Sequence, residues 1–165
     1  MLRGILILSM KPGWDSVELK GLSFTQASQA PHVLLELTTQ HRVVMVPVGM
    51  HEAQAVLEAL DPEVPAETAY DVVTELLDSH RMVPQHLEID SDADGALTAN
   101  FVYLNGSTQH RMTLSASRGL AMAAKAQVPV YVRRRVATRL GRPVGEQQSA
   151  NAQTSTAPWS LGGEH

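Results

Sequence analysis

Apolar and polar residues alternate along the first part of the chain with the period of two that is typical of β-strands. Val17-Glu18-Leu19-Lys20 alternates, and Gly21 shifts the phase before Leu22-Ser23-Phe24, which predicts a strand with a bulge or bend at the glycine. A second strand is predicted over residues 33–37. The continuous apolar run at residues 43–46 predicts a third strand that is central and covered on both faces, and the polar turn before it joins strands two and three as a hairpin.

Two later segments have apolar residues at helical spacing. The first predicted helix stops before Asp61-Pro62 and directs four apolar residues toward the core: Ala53, Val56, Leu57 and Leu60. The second begins at Thr68-Ala69-Tyr70-Asp71, which has the spacing of a capping box. Its predicted core residues are Val72, Val73, Leu76 and Leu77.

The C-terminal half predicts three strands, a third helix and a final short strand. Residues 87–89 and 97–103 read as strands, and Asn105-Gly106 predicts a two-residue hairpin turn with positive φ at both positions. The predicted return strand carries His110, Met112 and Leu114, the helix carries Leu120, Ala123 and Ala124, and the last strand is Pro129-Val130-Tyr131-Val132. This order of strands and helices in blocks predicts a single α+β domain whose mixed, mostly antiparallel sheet packs against about three helices.

The composition bounds the domain organisation. A chain of 165 residues with 44% apolar residues has the size of one domain. We expect an N-terminal extension at residues 1–13, a domain at 14–140 and a flexible low-complexity tail at 141–165, in which Trp159 is either a docking motif or a residue that folds back on the body. The chain has no cysteine, and its apolar start is too short for a signal peptide or a membrane span, so we expect a cytoplasmic protein with no membrane partner.

Charge is unevenly distributed along the chain, whose formal net charge is −4. Residues 52–94 carry many acids and one base, Arg81, whereas residues 95–142 carry eight bases and no acid. Two interpretations stay open. The halves neutralise each other within the fold or across an oligomer, or the basic half meets nucleic acid.

The common catalytic motifs are absent, and the histidines are scattered without metal-ligand spacing. The stripe Glu67, Asp71 and Glu75 has two interpretations. Acids four residues apart on a helix can hold a divalent cation that activates water. The same stripe is also what a solvated helix face looks like, with Asp71 as cap and dipole partner.

Four segments stand in the order and spacing of a known domain. They are Val46-Pro47-Val48-Gly49-Met50-His51-Glu52-Ala53-Gln54-Ala55, Pro65-Ala66-Glu67-Thr68-Ala69-Tyr70-Asp71-Val72, Ser115-Ala116-Ser117-Arg118-Gly119 and Pro129-Val130-Tyr131-Val132. Residues 17–132 thereby resemble the bifunctional nuclease (BFN) domain, whose members are described as acting on DNA and RNA. The match is uneven, since Tyr70 stands where the family has a histidine and Arg118 where it has an aspartate.

The resemblance implies a nuclease that hydrolyses phosphodiester bonds in DNA or RNA and forms a homodimer or higher homo-oligomer. Glu52 and Asp71 are the expected catalytic carboxylates, as ligands of magnesium or manganese or as groups that orient water. Ser117 and Arg118 are the expected substrate contacts, with Arg118 on a phosphate. Because the ionisable residues of the family pattern are replaced at positions 70 and 118, the alternative is a catalytically inactive BFN-fold protein that acts as a binding or regulatory module.

Overall fold

The computed structural model describes residues 11–24, 30–63 and 67–144, which form eight strands and four helices. The strands are β1 (Trp14–Phe24), β2 (Pro31–Leu37), β3 (Arg42–Pro47), β4 (Met82–Ser91), β5 (Leu97–Asn105), β6 (Thr108–Ser115), β7 (Val130–Arg133) and β8 (Arg142–Pro143). The helices are α1 (Met50–Leu60), α2 (Ala69–Ser79), α3 (Ala116–Ala126) and α4 (Arg134–Leu140). Most of the expected extension and tail, Trp159 included, and Pro65 of the second BFN-like segment lie outside the described residues.

One mixed sheet holds all the described strands in the order β6-β5-β4-β7-β1-β2-β3-β8. The pair β4 and β7 is parallel, and the other neighbouring pairs are antiparallel. This confirms the predicted α+β class and the mostly antiparallel sheet. Strand β7 lies between β4 and β1, so its pairings join the two halves of the sheet.

The predicted irregularity in β1 is confirmed, whereas the hairpin turn is displaced by one residue. The register with β2 shifts between Leu19 and Gly21, as the phase change predicted. In the β5–β6 hairpin, Asn105 pairs with Thr108, so the two turn residues are Gly106 and Ser107. Only Gly106 has a positive φ (60°), so the prediction of positive φ at both turn positions was wrong. A glycine at the first turn position suits the turn type in which only that residue needs positive φ.

Three helices form a layer on one face of the sheet. Leu87 and Ile89 of β4 are fully buried, and α3 contacts β4, β5 and β6 while α1 and α2 pack against α3. The approach at α3 is close, because a Cβ at Gly119 would lie 2.7 Å from the Cβ of Ala99. Glycine therefore lets the backbone of α3 lie directly on β5.

The helices bury narrower stripes than the periodicity predicted. In α1 the buried residues are Ala53, Ala55 and Val56, whereas Leu57 and Leu60 are 43% and 42% exposed. In α2 the core contacts are Tyr70, Val73 and Leu77, whereas Val72 and Leu76 are 51% and 53% exposed. The prediction that these four residues face the core was wrong, because each helix packs along one side and they lie beyond its line of contact.

Two elements were not predicted. Helix α4 follows β7 directly and buries Val136 and Ala137, and β8 pairs with Arg42 and Val43 at the edge of β3. The sequence did not predict α4 because the segment is rich in arginine and only two of its residues are buried. Strand β3 therefore has a neighbour on both sides, and Val43 and Val44, which point to opposite faces, are both buried as predicted.

The acidic and basic halves of the chain are joined by ion pairs within the fold. Asp90 lies 2.8 Å from Arg135 and 3.7 Å from Arg133, and Lys125 contacts two carboxylates of the helical layer. Glu88, which is 2% exposed and alternates with Leu87 and Ile89 onto the other face of the sheet, is bonded to Lys11, His86 and Arg111. Neutralisation within the fold is thus confirmed for these groups.

Within the ranges described here, every helix is too short or too polar to cross a lipid bilayer.

Candidate functional site

The N-terminal ends of α1 and α3 are joined by a hydrogen bond. Gly49 is the N-cap residue of α1, and its backbone N–H donates to Ser117 Oγ in the first turn of α3 across 3.2 Å. Glu52, in the first turn of α1, folds back over this point, since a Cβ at position 49 would lie 2.3 Å from Glu52 Oε2. The absence of a side chain at Gly49 therefore makes room for the Glu52 carboxylate.

Tyr70 connects the first turn of α2 to the same place. Its hydroxyl donates a hydrogen bond of 2.7 Å to Glu52 Oε1. Burial, and then the hydrogen bond and charge of Glu52, raise the pKa of Tyr70 well above its ordinary value of 10.0, while the charge of Arg118 acts in the opposite direction. Tyr70 is therefore a neutral donor at physiological pH and holds one carboxylate oxygen of Glu52 in place.

Arg118 is the exposed cation of this site. It lies in the first turn of α3, where its backbone N–H donates to the N-cap residue Ser115 at 3.3 Å. No carboxylate of the described residues lies within ion-pair distance of its guanidinium, although the charge of Arg118 acts on Tyr70. The side chain is free to meet an anion from solvent.

The convergence of three helix starts gives this site its chemistry. Backbone N–H groups at a helix N-terminus lack intrahelical partners and carry partial positive charge, which favours phosphate groups. The guanidinium of Arg118 adds a full positive charge, and both it and the Glu52 carboxylate act on Tyr70. Such a set can hold a phosphodiester and orient a water molecule toward it.

Asp71 has different neighbours from Glu52. Its carboxylate accepts from the backbone N–H of Thr68 (2.7 Å) and the Thr68 hydroxyl (2.8 Å), and it lies 2.8 Å from Lys125 Nζ. Burial opposes ionisation of Asp71, but the bonds from Lys125 and Thr68 outweigh it and lower the pKa. The capping role predicted from the spacing is confirmed.

Lys125 holds the helical layer together at this point. Its side chain is only 7% exposed, and Nζ contacts Glu58 of α1 at 2.5 Å as well as Asp71 of α2. One buried cation of α3 thereby ties three helices. Sequence reasoning missed this contact because nothing local marks Lys125 as the partner of acids more than fifty residues earlier.

The two carboxylates fit a divalent cation unequally. Magnesium is commonly held by one or two carboxylates together with substrate phosphates. Glu52 fits this mode, whereas Asp71 is already paired with Lys125. No cluster of three or more aspartate, glutamate or histidine side chains suited to a metal occurs in the described part of the chain.

A small pocket of about 170 Å³ adjoins Tyr70 between α1 and the start of α2. It is lined by His51, Gln54, Glu67, Thr68, Ala69 and Tyr70. His51 and Gln54 were not predicted as site residues, although their position one residue before and two after Glu52 places them on the same helical turn.

Three of the four segments that carry the BFN resemblance meet in space. Gly49 and Glu52 of the first contact Ser117 of the third and Tyr70 of the second. The model of the bifunctional nuclease domain family matches residues 33–144, about two thirds of the chain. No curated protein gives a significant match to the sequence. The chain belongs to the bifunctional nuclease domain family.

Proposed function

We propose that this protein hydrolyses phosphodiester bonds of DNA or RNA at the site formed by Glu52, Tyr70, Ser117 and Arg118. The observation that carries the proposal is the hydrogen-bonded pair of Glu52 and Tyr70 beside an exposed arginine at three converging helix starts. Family membership supports the same reaction class.

Each residue has a role that follows from its contacts. Arg118 and the first turns of α1 and α3 hold the phosphate, and Ser117 fixes the start of α1 through Gly49. Glu52 orients the attacking water and accepts its proton, since a carboxylate near a reacting phosphate is a suitable general base. Tyr70 keeps Glu52 in its rotamer.

Asp71 acts in this proposal through position rather than by touching the substrate. It fixes the first turn of α2 and, through Lys125, the spacing of the three helices. Magnesium or manganese, when bound with Glu52 and the substrate phosphate, supplies Lewis-acid activation.

A binding module without catalysis is the second candidate. The ion pair between Asp71 and Lys125 favours it, because the second carboxylate expected of a nuclease is neutralised in the structure. The replacement of a family histidine by Tyr70 also removes a group that titrates near neutrality. Such a module would bind nucleic acid with strong salt dependence and leave it intact.

Cleavage assays on supercoiled plasmid DNA and structured RNA, with magnesium or manganese, decide between the two candidates. Glu52→Gln should abolish cleavage, and Asp71→Asn should reduce it in part. Glu75→Gln, the same change on an exposed face of α2, is the matched control and should cleave as the wild type does. Equal cleavage by Glu52→Gln would place the reaction elsewhere, and binding without cleavage by the wild type would establish the second candidate.

We also propose that the protein is cytoplasmic and forms a homodimer. Three apolar side chains of α1 and β1 are strongly exposed, namely Phe24 (64%), Met50 (65%) and Leu57 (43%), and they line a groove of about 320 Å³. A second copy would remove this apolar surface from water. A monomeric mass in light scattering would refute the dimer.

A further inference from the structure

Most basic side chains of the described residues are neutralised by carboxylates. Seven of them lie within 4.0 Å of an aspartate or glutamate oxygen: Lys11, Lys20, Arg111, Lys125, Arg133, Arg134 and Arg135. Arg139 and Arg142 have no such partner among the residues with described positions. Arg42, Arg81 and Arg118 also lack such a partner within the described ranges, but Arg139 and Arg142 line the same pocket, so two uncompensated positive charges lie together there.

This pocket is formed by residues of β2, β3, α4 and β8. It has a volume of about 350 Å³ and is lined by His32, Met45, Pro47, Arg139, Leu140 and Arg142, with no carboxylate. His32 pairs with Pro47, and Arg142 pairs with Val43. Alternation along β3 places Val43, Met45 and Pro47 on one face and the core residues Val44 and Val46 on the other. The pocket is therefore separate from the site at the helix starts.

The fold fixes the backbone of Arg142 and the guanidinium of Arg139. Arg142 belongs to β8, and the preceding residue, Gly141, accepts a 2.6 Å hydrogen bond from the Arg42 guanidinium at its carbonyl oxygen. Arg139 donates through Nη2 to the carbonyl oxygen of Gly95 at 3.1 Å, which leaves its other N–H groups available. The planar guanidinium groups of arginine suit the geometry of phosphate oxygens.

His32 contributes a second, independent feature. Its Nδ1 is shielded from solvent and has no hydrogen-bond partner among the described residues, an arrangement that costs free energy unless a partner is supplied. The imidazole lines the pocket beside Met45, Pro47 and Leu140. The lining thus combines a cationic end with an apolar wall and a planar ring.

We propose that this pocket binds a nucleotide, with the phosphate against Arg139 and Arg142 and the base against the apolar wall and His32. A bare phosphate would leave the apolar wall without a partner, and an apolar ligand would leave two arginines without one. The volume lies in the range of small-molecule sites, about 300–1,000 Å³. The nucleotide comes either from free solution or from a single strand, and the test separates these sources.

Binding is measured by calorimetry with three probes: adenosine monophosphate, ribose 5-phosphate and an eight-residue oligodeoxyadenylate. Adenosine monophosphate should bind at least about fivefold more tightly than ribose 5-phosphate, because only it carries a base. Arg142→Gln should weaken its binding by about tenfold or more, as expected for loss of a charged hydrogen bond. Arg81→Asn is the matched control, since Arg81 is exposed, has no carboxylate partner among the described residues, and has a φ of 57° that asparagine tolerates.

The outcomes separate clearly. Oligonucleotide binding at least about tenfold tighter than that of the monophosphate, with the same loss in Arg142→Gln, identifies a strand as the source, and similar affinities identify the free nucleotide. Absence of binding, equal affinity for both sugar phosphates, or unchanged affinity of Arg142→Gln overturns the proposal. Thermal unfolding checks that the variants fold, and Arg139→Gln takes the place of Arg142→Gln if that variant does not fold. None of these binding measurements depends on cleavage, so the result is independent of the proposed nuclease function.

Discussion

The hydroxyl of Tyr70 and the carboxylate of Glu52 are joined by a 2.7 Å hydrogen bond that links α1 to α2, although the two residues lie 18 positions apart. This bond keeps a carboxylate at the start of α1, where the backbone N–H groups would otherwise draw it into a cap. The position of Glu52 thus depends on a residue that departs from the family.

Tyr70→Phe should therefore lower kcat for phosphodiester cleavage by about tenfold or more, because Glu52 loses its fixed position, an effect in the range of misplaced acid–base groups. The overall fold should be unchanged, since only the hydroxyl is removed. Tyr131→Phe, which alters a half-buried tyrosine that contacts His86, is the control. Equal loss in both variants would argue against a specific role of Tyr70.

Arg118→Gln should weaken nucleic-acid binding and lower the salt dependence of the binding constant. Removing one phosphate contact reduces the slope of log K against log salt by about one. Fluorescence anisotropy across a salt series measures this change. An unchanged slope would show that Arg118 does not contact phosphate.

Lys125→Met should destabilise the protein by about 1–2 kcal/mol, because it leaves the partly buried carboxylates of Glu58 and Asp71 without their shared cation. Urea unfolding monitored by circular dichroism measures the loss. Lys20→Met is the control, since Lys20 pairs with Glu18 and Glu36 at an exposed position and its removal should have little effect. A small effect of both variants would mean that the helices are held by apolar packing alone.

Glu88 should make the stability of the protein sensitive to acid. Burial opposes its ionisation, but the bonds from Lys11, His86 and Arg111 lower the pKa of Glu88 below its ordinary value of 4.5. A lowered pKa in the folded state contributes stability that is complete above the unfolded value and is lost as pH falls through the folded value. Stability should therefore decline as the pH falls below about 4.5, and Glu88→Gln should be most destabilising near neutrality and progressively less so as the pH falls below that value.

Gly119→Ala should destabilise the fold by about 1–3 kcal/mol through overpacking, since the added Cβ would lie 2.7 Å from that of Ala99 and 3.0 Å from Leu87 Cδ1. Ala99→Gly in the same chain should restore part of the loss by removing the closer contact. Chemical denaturation of the single and double variants tests this pair. Additive losses would contradict the assigned contact.

Local patterns predicted the strands well, and long-range contacts account for what they missed. The register shift at Gly21 was predictable because the change in the alternation of apolar and polar residues is a local feature of the sequence. The exposure of Leu57 and Val72 was not, because a helix with apolar residues on a broad face does not reveal which side will meet a neighbour.

The candidate site shows the same division. Glu52, Ser117 and Arg118 could be named from a family pattern, and the structure brings them to one place with Tyr70. The ion-pair partner of Asp71 could not be predicted, since Lys125 lies 54 residues away and no periodic pattern in the sequence marks the contact.

The position of β7 has a consequence for synthesis of the chain. Residues 130–133 fill the gap between β4 and β1, so a nascent chain that ends before them holds two antiparallel sheets, β1–β3 and β4–β6, with unpaired edges at β1 and β4. Open strand edges of this kind readily pair with other chains. The ribosome must therefore release almost the whole domain before the two sheets can merge, so the edges of β1 and β4 stay open until residue 133 has emerged.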